Sequence, residues 1–168
     1  KIYYKMLWPA FIWLAVIAIS GCKEKNNNAT PGGDCGYTIT IADGTNTVVT
    51  YTNNCANNNI GQSDDELMMV FSSPDTKYAL AVTVSGAQEG EHTIKNVPPY
   101  DKGSANLFLT SDQSKIPGAL SFAQGKLTIT LFKNQVADGT ITATSVSAVN
   151  NKTYTLTGEF KNMPVKSK

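Results

Sequence analysis

The chain has no arginine. Its fourteen cations are all lysines, set against thirteen acids, for a formal charge of +1. The side chain whose planar fork grips a phosphate or carboxylate at two points is therefore missing. A near-neutral balance also gives no electrostatic case for nucleic acid or an acidic membrane surface. Histidine occurs once, at His92. A Ser-His-Asp arrangement needs only one, but there is no Gly-x-Ser-x-Gly elbow to present the serine. A zinc site would need more ligands than His92 and a pair of bridged cysteines supply. Tryptophan occurs only at Trp8 and Trp13, which leaves Tyr and Phe as the aromatics for everything behind residue 13. No apolar run reaches the ~20 residues that cross a bilayer as a helix.

The longest apolar run, residues 6–19, follows Lys1 and Lys5 and has the length of a signal-peptide core. It ends in Ile19-Ser20-Gly21-Cys22, which resembles the lipobox of bacterial lipoproteins: a branched apolar residue, two small ones, then cysteine. The pattern follows from the chemistry. The thiol is alkylated by a diacylglyceryl donor at the membrane surface, and a peptidase then needs small side chains beside the bond it cuts. One acyl chain anchors marginally, while two or more hold stably. Residues 1–21 are thus expected to be a signal peptide and Cys22 the lipidated, palmitate-bearing residue. Residues 22–34, polar with Pro and Gly, are expected to be a flexible tether. Cutting before Cys22 leaves about 147 residues and a charge of about −1, a one-domain length. That domain is expected over 35–163, with 164–168 as a C-terminal tail. The expected location is the cell envelope, on the outer membrane and exposed at the cell surface.

Two cysteines remain, Cys35 and Cys55. Between them, residues 37–41 alternate strictly, Asp43-Gly44 signals a turn, and residues 47–51 form a second β-rich run. A hairpin centred near Thr45 brings Cys35 opposite Cys55. In an exported chain this predicts a disulfide, with no Cys-x-x-Cys spacing to indicate a redox pair.

Further strands are expected at 67–71, 78–84, 91–97, 107–110, 126–132, 140–146 and 153–160, nine in all. Threonines fall on their wet faces. Ser63-Asp-Asp-Glu66 has capping-box spacing and permits one helical turn at most. Short strands between turns predict an all-β domain, an antiparallel β-sandwich that is immunoglobulin-like in the broad sense. An up-and-down, lipocalin-like β-barrel is the alternative.

Chemistry-bearing residues are few. His92 lies in Gly90-Glu-His-Thr-Ile94 and reads as an exposed strand residue. Asp64-Asp65-Glu66 lacks the spaced ligands of a calcium loop. Glu89 and Glu91 share a strand face by default, with no aromatic cleft beside them. Pro98-Pro99-Tyr100-Asp101-Lys102-Gly103 is an irregular segment with an aromatic, and Tyr100, Asp101 and Lys102 are the expected partner-contact loop. No catalytic residue, metal or cofactor is expected.

Gly90-Glu-His-Thr-Ile94, Gly125-Lys-Leu-Thr-Ile129, Val136-Ala-Asp-Gly-Thr-Ile-Thr-Ala143 and Tyr154-Thr-Leu-Thr-Gly-Glu-Phe160 together resemble a family of small Bacteroidota lipoproteins with a β-rich C-terminal domain. The resemblance implies an exported β domain on a lipid tether and carries no catalytic residues. The expected function is a non-enzymatic binding or structural module, held to the membrane by Cys22 and contacting a protein or glycan. The alternatives are a barrel carrying a small apolar ligand, and an envelope inhibitor or immunity lipoprotein. Cys22→Ser should abolish incorporation of labelled fatty acid and move the protein from the membrane to the soluble fraction. Retention in the membrane fraction would refute the lipid anchor.

Overall fold

The computed structural model describes residues 34–55, 60–63, 65–86, 88–133 and 136–167. The expected signal peptide, the lipid site Cys22 and the tether before Asp34 lie outside the described residues.

The first hairpin joins β1 (Gly36–Asp43) to β2 (Asn46–Asn54). Tyr37, Ile39 and Ile41 are buried and Thr38 and Thr40 face outward, as period-2 alternation requires. Asp43 pairs with Asn46, so the loop is Gly44-Thr45. Gly44 has φ 60°, the left-handed conformation that glycine adopts without a Cβ penalty. The register then shifts once: Ala42 faces Thr47, but Ile41 faces Val49, and Val48 is left over as a bulge. That extra residue sets Gly36 opposite Asn54 and Cys35 beside Cys55. Without it, Cys35 would face Asn54. The two cysteines are disulfide-bonded, their Cα atoms 5.6 Å apart and 20 residues separated in sequence. Closing such a loop stabilises by roughly 3 kcal/mol in the chain-entropy account.

Ten more strands follow: β3 (Ile60–Ser63), β4 (Glu66–Ser72), β5 (Tyr78–Ser85), β6 (Gly90–Ile94), β7 (Ser104–Ser111), β8 (Ala119–Ser121), β9 (Gln124–Lys133), β10 (Val136–Val146), β11 (Thr153–Pro164) and β12 (Lys166–Ser167). All twelve belong to one sheet, ordered β12-β3-β4-β5-β7-β6-β9-β10-β11-β1-β2, with β8 paired to β7 off that path. The sheet curls into a half-barrel and the fold is all-β. It is not antiparallel throughout, because β6–β7 and β12–β3 are parallel pairs. Nor is it an up-and-down meander, because β6 lies beyond β7 and beside β9.

Three short strands, β3, β8 and β12, add to the nine expected. Ser63 does not cap a helical turn; it pairs with Glu66 across the β3–β4 hairpin. Of the residues expected as a tail, Pro164 ends β11, Val165 is buried, and Lys166 and Ser167 pair with Gly61 and Gln62, while residue 168 lies outside the described residues. Asp138-Gly139, which precedes the strand expected at 140–146, lies within β10. The register shifts there against both neighbours, and Asn162 (φ 50°) donates its N–H to Asp138 Oδ1 at 2.6 Å. Gly139 is required by proximity: a Cβ there would come within 2.4 Å of both the Phe160 ring and the Thr128 carbonyl.

The curl brings β1, β2 and β11 against β4 and β5. Phe71 lies 5.1 Å from Tyr37 and 5.5 Å from Phe160, ring centre to ring centre, and Tyr51 stacks on Tyr78 at 6.2 Å. Because β3 pairs with β4 only from Glu66 to Met69, the end of β4 lacks a strand on that side among the described residues. Side chains take that place. Tyr37 Oη and Asn53 Nδ2 (3.1 Å) donate to the Ser72 carbonyl, and Tyr51 Oη donates to the Phe71 carbonyl at 3.2 Å. Burial raises the Tyr37 phenol above its ordinary value. Burial, and secondarily the neighbouring Tyr37, raises Tyr51 as well. Both therefore stay neutral and able to donate.

A phenol that ionises earlier in the unfolded chain contributes stability in full below about pH 10, and that stability is lost as the pH climbs further. Tyr37→Phe and Tyr51→Phe should each cost roughly 1 kcal/mol at neutral pH. The double variant should also lose less stability than the wild type between neutral and strongly alkaline conditions. Urea melts at the two pH values check both outcomes.

Candidate functional site

The expected chemical residues do not converge. His92 is not exposed. It shares the inward face of β6 with Ile94, is 1% accessible, and pairs with Leu127 of β9. Period 2 explains this, since Glu91 and Thr93 on either side take the wet face. His92 Nε2 lies 3.0 Å from the Gln88 carbonyl, and Nδ1 has no partner among the described residues. The two glutamates are committed elsewhere: Glu89 Oε1 accepts the Phe132 N–H at 2.8 Å, and Glu91 pairs with Lys126 at 3.0 Å. Asp64 lies outside the described residues. Asp65 and Glu66 are exposed at the start of β4, and the Asp65 carbonyl accepts the Gly86 N–H at 2.7 Å.

The Tyr100-Asp101-Lys102 loop is built, not slack. It connects β6 to β7, and its ends are tied by Thr93 N–H to Gly103 O (2.9 Å), Lys95 N–H to Ala105 O (2.8 Å) and Gly103 N–H to Ser85 O (3.0 Å). The Asp101 carbonyl accepts from Ser104 N–H (2.9 Å) and Ser104 Oγ (2.7 Å), while its carboxylate pairs with Lys95 at 3.1 Å. That ion pair is solvent-exposed and contributes little; the backbone bonds fix the loop. Asn106 Nδ2 donates to the Lys95 carbonyl (3.1 Å) and to Tyr100 Oη (3.2 Å), seating the Tyr100 ring against β7. The stem of Lys102 lies over Gly86.

This loop borders an apolar surface on the outer face of β4, β5 and β7. Phe108 stands two residues from Asn106 on the same face, and Ala81 and Val70 continue its row across β5 and β4. Met68 lies one row over, beyond Thr83. Phe108 and Tyr100 are each 41% exposed, Met68 52% and Val97 63%. The sequence reading did not assemble this patch. Met68 sits inside the apolar run 67–71, whose composition alone does not mark a face; only Leu67, Met69 and Phe71 point inward.

The other half of the sheet presents a different surface. Thr50, Thr40, Thr157 and Thr142 form one row across β2, β1, β11 and β10, and Thr52, Thr38, Glu159, Thr140 and Thr128 form the next. Thr38 and Thr52, and likewise Thr40 and Thr50, share hydroxyl hydrogen bonds of 3.0 Å. Two shallow, open grooves of about 360 and 220 Å³ run over these rows and share Thr38 and Glu159. Hydroxyls, the Asp34 and Glu159 carboxylates and the Lys161 ammonium line these grooves and can hydrogen-bond a solvated ligand, but the grooves enclose no space.

Comparison with protein-family models, with curated proteins and with solved structures returned no match. The surfaces therefore have to be read from their own chemistry.

If His92 is a core residue, shape should matter more than the imidazole. His92→Leu should fall within about 1 kcal/mol of the wild type, because it removes one partnered nitrogen and one unpartnered one. His92→Ala should cost roughly 2–4 kcal/mol for the cavity it leaves. Equal losses in chemical melts of the two variants would contradict a packing role.

Proposed function

We propose that this chain is a membrane-anchored bacterial lipoprotein, processed before Cys22, whose β domain is a non-enzymatic binding module. Its contact surface is the apolar patch of Tyr100, Phe108 and Met68. The observation that carries this reading is that large apolar side chains are held outward beside a loop fixed by its own backbone hydrogen bonds. Exposed apolar side chains grouped on one surface mark interaction sites more often than scattered ones do. A loop already ordered in the free protein also avoids the entropy cost of ordering on contact. The lipobox at Ile19-Ser-Gly-Cys22 and the resemblance to small Bacteroidota lipoproteins favour the outer membrane and the cell surface as the place of action.

The interior favours a binder over a carrier. Phe71, Phe122, Phe160, Tyr154, Leu80 and Leu107 fill the inward face with fully buried side chains, so an apolar ligand would have to displace core. A protein or glycan met on the outer surface needs no such rearrangement.

Arrays of envelope proteins, host proteins and glycans, probed with the full chain, test the reading. A bound component should lose about 30-fold in affinity with Tyr100→Ser/Phe108→Ser, the effect of removing a pair of interface anchors. The melting temperature should fall only modestly, because both side chains lie on the surface, outside the core. Binding that survives the double variant would rule out the patch.

A further inference from the structure

A sheet edge exposes a row of unpaired N–H and C=O groups, and natural proteins blunt such edges with short strands, charge, proline or a covering element. Two edges here follow that rule. β12 has two residues, one of them a lysine, and β8 has three. The edge at the other end of the sheet does not. β2 has nine residues, Asn-Thr-Val-Val-Thr-Tyr-Thr-Asn-Asn, without one charge or proline. Its only irregularity is the Val48 bulge near the hairpin end. Every second residue of a strand turns its backbone groups away from the neighbour it already has. Beyond the bulge, residues 49–53 pair in unbroken register with β1 and have no strand on their other side among the described residues.

We infer that the β2 edge is a docking edge for a second copy of this chain, joined antiparallel about a two-fold axis at Tyr51. Self-pairing about that residue places Thr50 of one copy opposite Thr52 of the other. This repeats the threonine-on-threonine contacts that β2 already makes with β1, where Thr50 meets Thr40 and Thr52 meets Thr38. It also sets Val49 against Asn53, so no charge meets a like charge anywhere along the strand. A partner of a different kind would be selected by some charge or shape particular to it, and β2 carries neither. A two-fold pairing needs only self-complementarity. The contact would continue the threonine rows across both copies as one sheet, by the strand addition that exposed edges make possible. It leaves the Tyr100–Phe108 patch, which lies on the other half of the sheet, free in both copies.

The test uses the full chain in mild detergent, followed by sedimentation velocity and native mass spectrometry across a dilution series. A dimer that dissociates on dilution is expected. Thr50→Lys/Thr52→Lys sets lysine against lysine twice across the axis. It should weaken the dimer by at least about a hundredfold and leave the β-type circular dichroism and the melting temperature near those of the wild type. Hydrogen exchange on the unmodified chain gives a second readout that needs no variant: the outward-facing amides of Thr50 and Thr52 should gain protection with concentration, while those of β8 should not. A wild type that stays monomeric at the highest concentration, a dimer that persists in the lysine variant, or concentration-dependent protection elsewhere would each overturn the inference.

Discussion

The register of β1 is the constraint on which the rest of the molecule rests. β1 pairs with β2 on one side and β11 on the other, and its alternate residues Tyr37, Ile39 and Ile41 enter the core. A slip of one residue would turn all three into water and bury Thr38 and Thr40 in their place. Three features oppose the slip. Gly44 fixes where the hairpin turns, the disulfide fixes where its open end closes, and Tyr37 touches Phe71 and donates to Ser72 across the curl. The first two agree only because Val48 bulges. The local turn and the covalent bridge demand registers one residue apart, and the bulge reconciles them.

The same reasoning explains what could be read from the sequence. Alternation is local, so the longer strands are legible, and so is the wet face of those that alternate strictly, such as β1. The two Asp-Gly pairs mark the boundary. Asp43-Gly44 turns the chain because alternating runs flank it closely on both sides. Asp138-Gly139 has the same letters but stays in a strand, because Gly139 makes room for the Phe160 ring of a strand far along the chain. Nothing local distinguishes the two. Long-range pairing was equally hidden: β6 beside β9, β12 parallel to β3, and the threonine rows that depend on which strands lie adjacent. His92 is a different case, since the alternation of Glu91, His92, Thr93 and Ile94 held the answer. A polar residue name was given more weight than a period that already put it beside Ile94.

The two halves of the outer surface differ because their neighbours differ. Along β1, β2, β10 and β11, threonine recurs at alternate positions, and antiparallel pairing aligns it into rows in which Thr38 meets Thr52 and Thr40 meets Thr50 through their hydroxyls. Such a face is wet and regular. Along β4, β5 and β7 the outward face also carries Met68, Val70, Ala79, Ala81 and Phe108 among its polar residues, and these five have no hydroxyls to offer one another. Threonine there would have met the needs of strand geometry equally well. The apolar choice is therefore not forced by the fold, and that is why this half, and not the grooved one, was assigned the partner.

The disulfide also bears on how an anchored domain carries load. On the lipoprotein reading, tension from the membrane enters through the tether and reaches the folded part at Cys35. That residue begins the hairpin, one position before β1. Without a bridge, the pull would act first on the Gly36–Asn54 end of the β1–β2 ladder and could open its hydrogen bonds one at a time. The Cys35–Cys55 bond lies across that end, so the pull on β1 is shared with β2 from the first residue. The pairing that such a pull loads first is then the Gly36–Lys161 end of the β1–β11 ladder, in place of the hairpin end. The bridge thus stands where an N-terminal tether would deliver its force, which explains why a domain with a filled core still closes this one hairpin covalently.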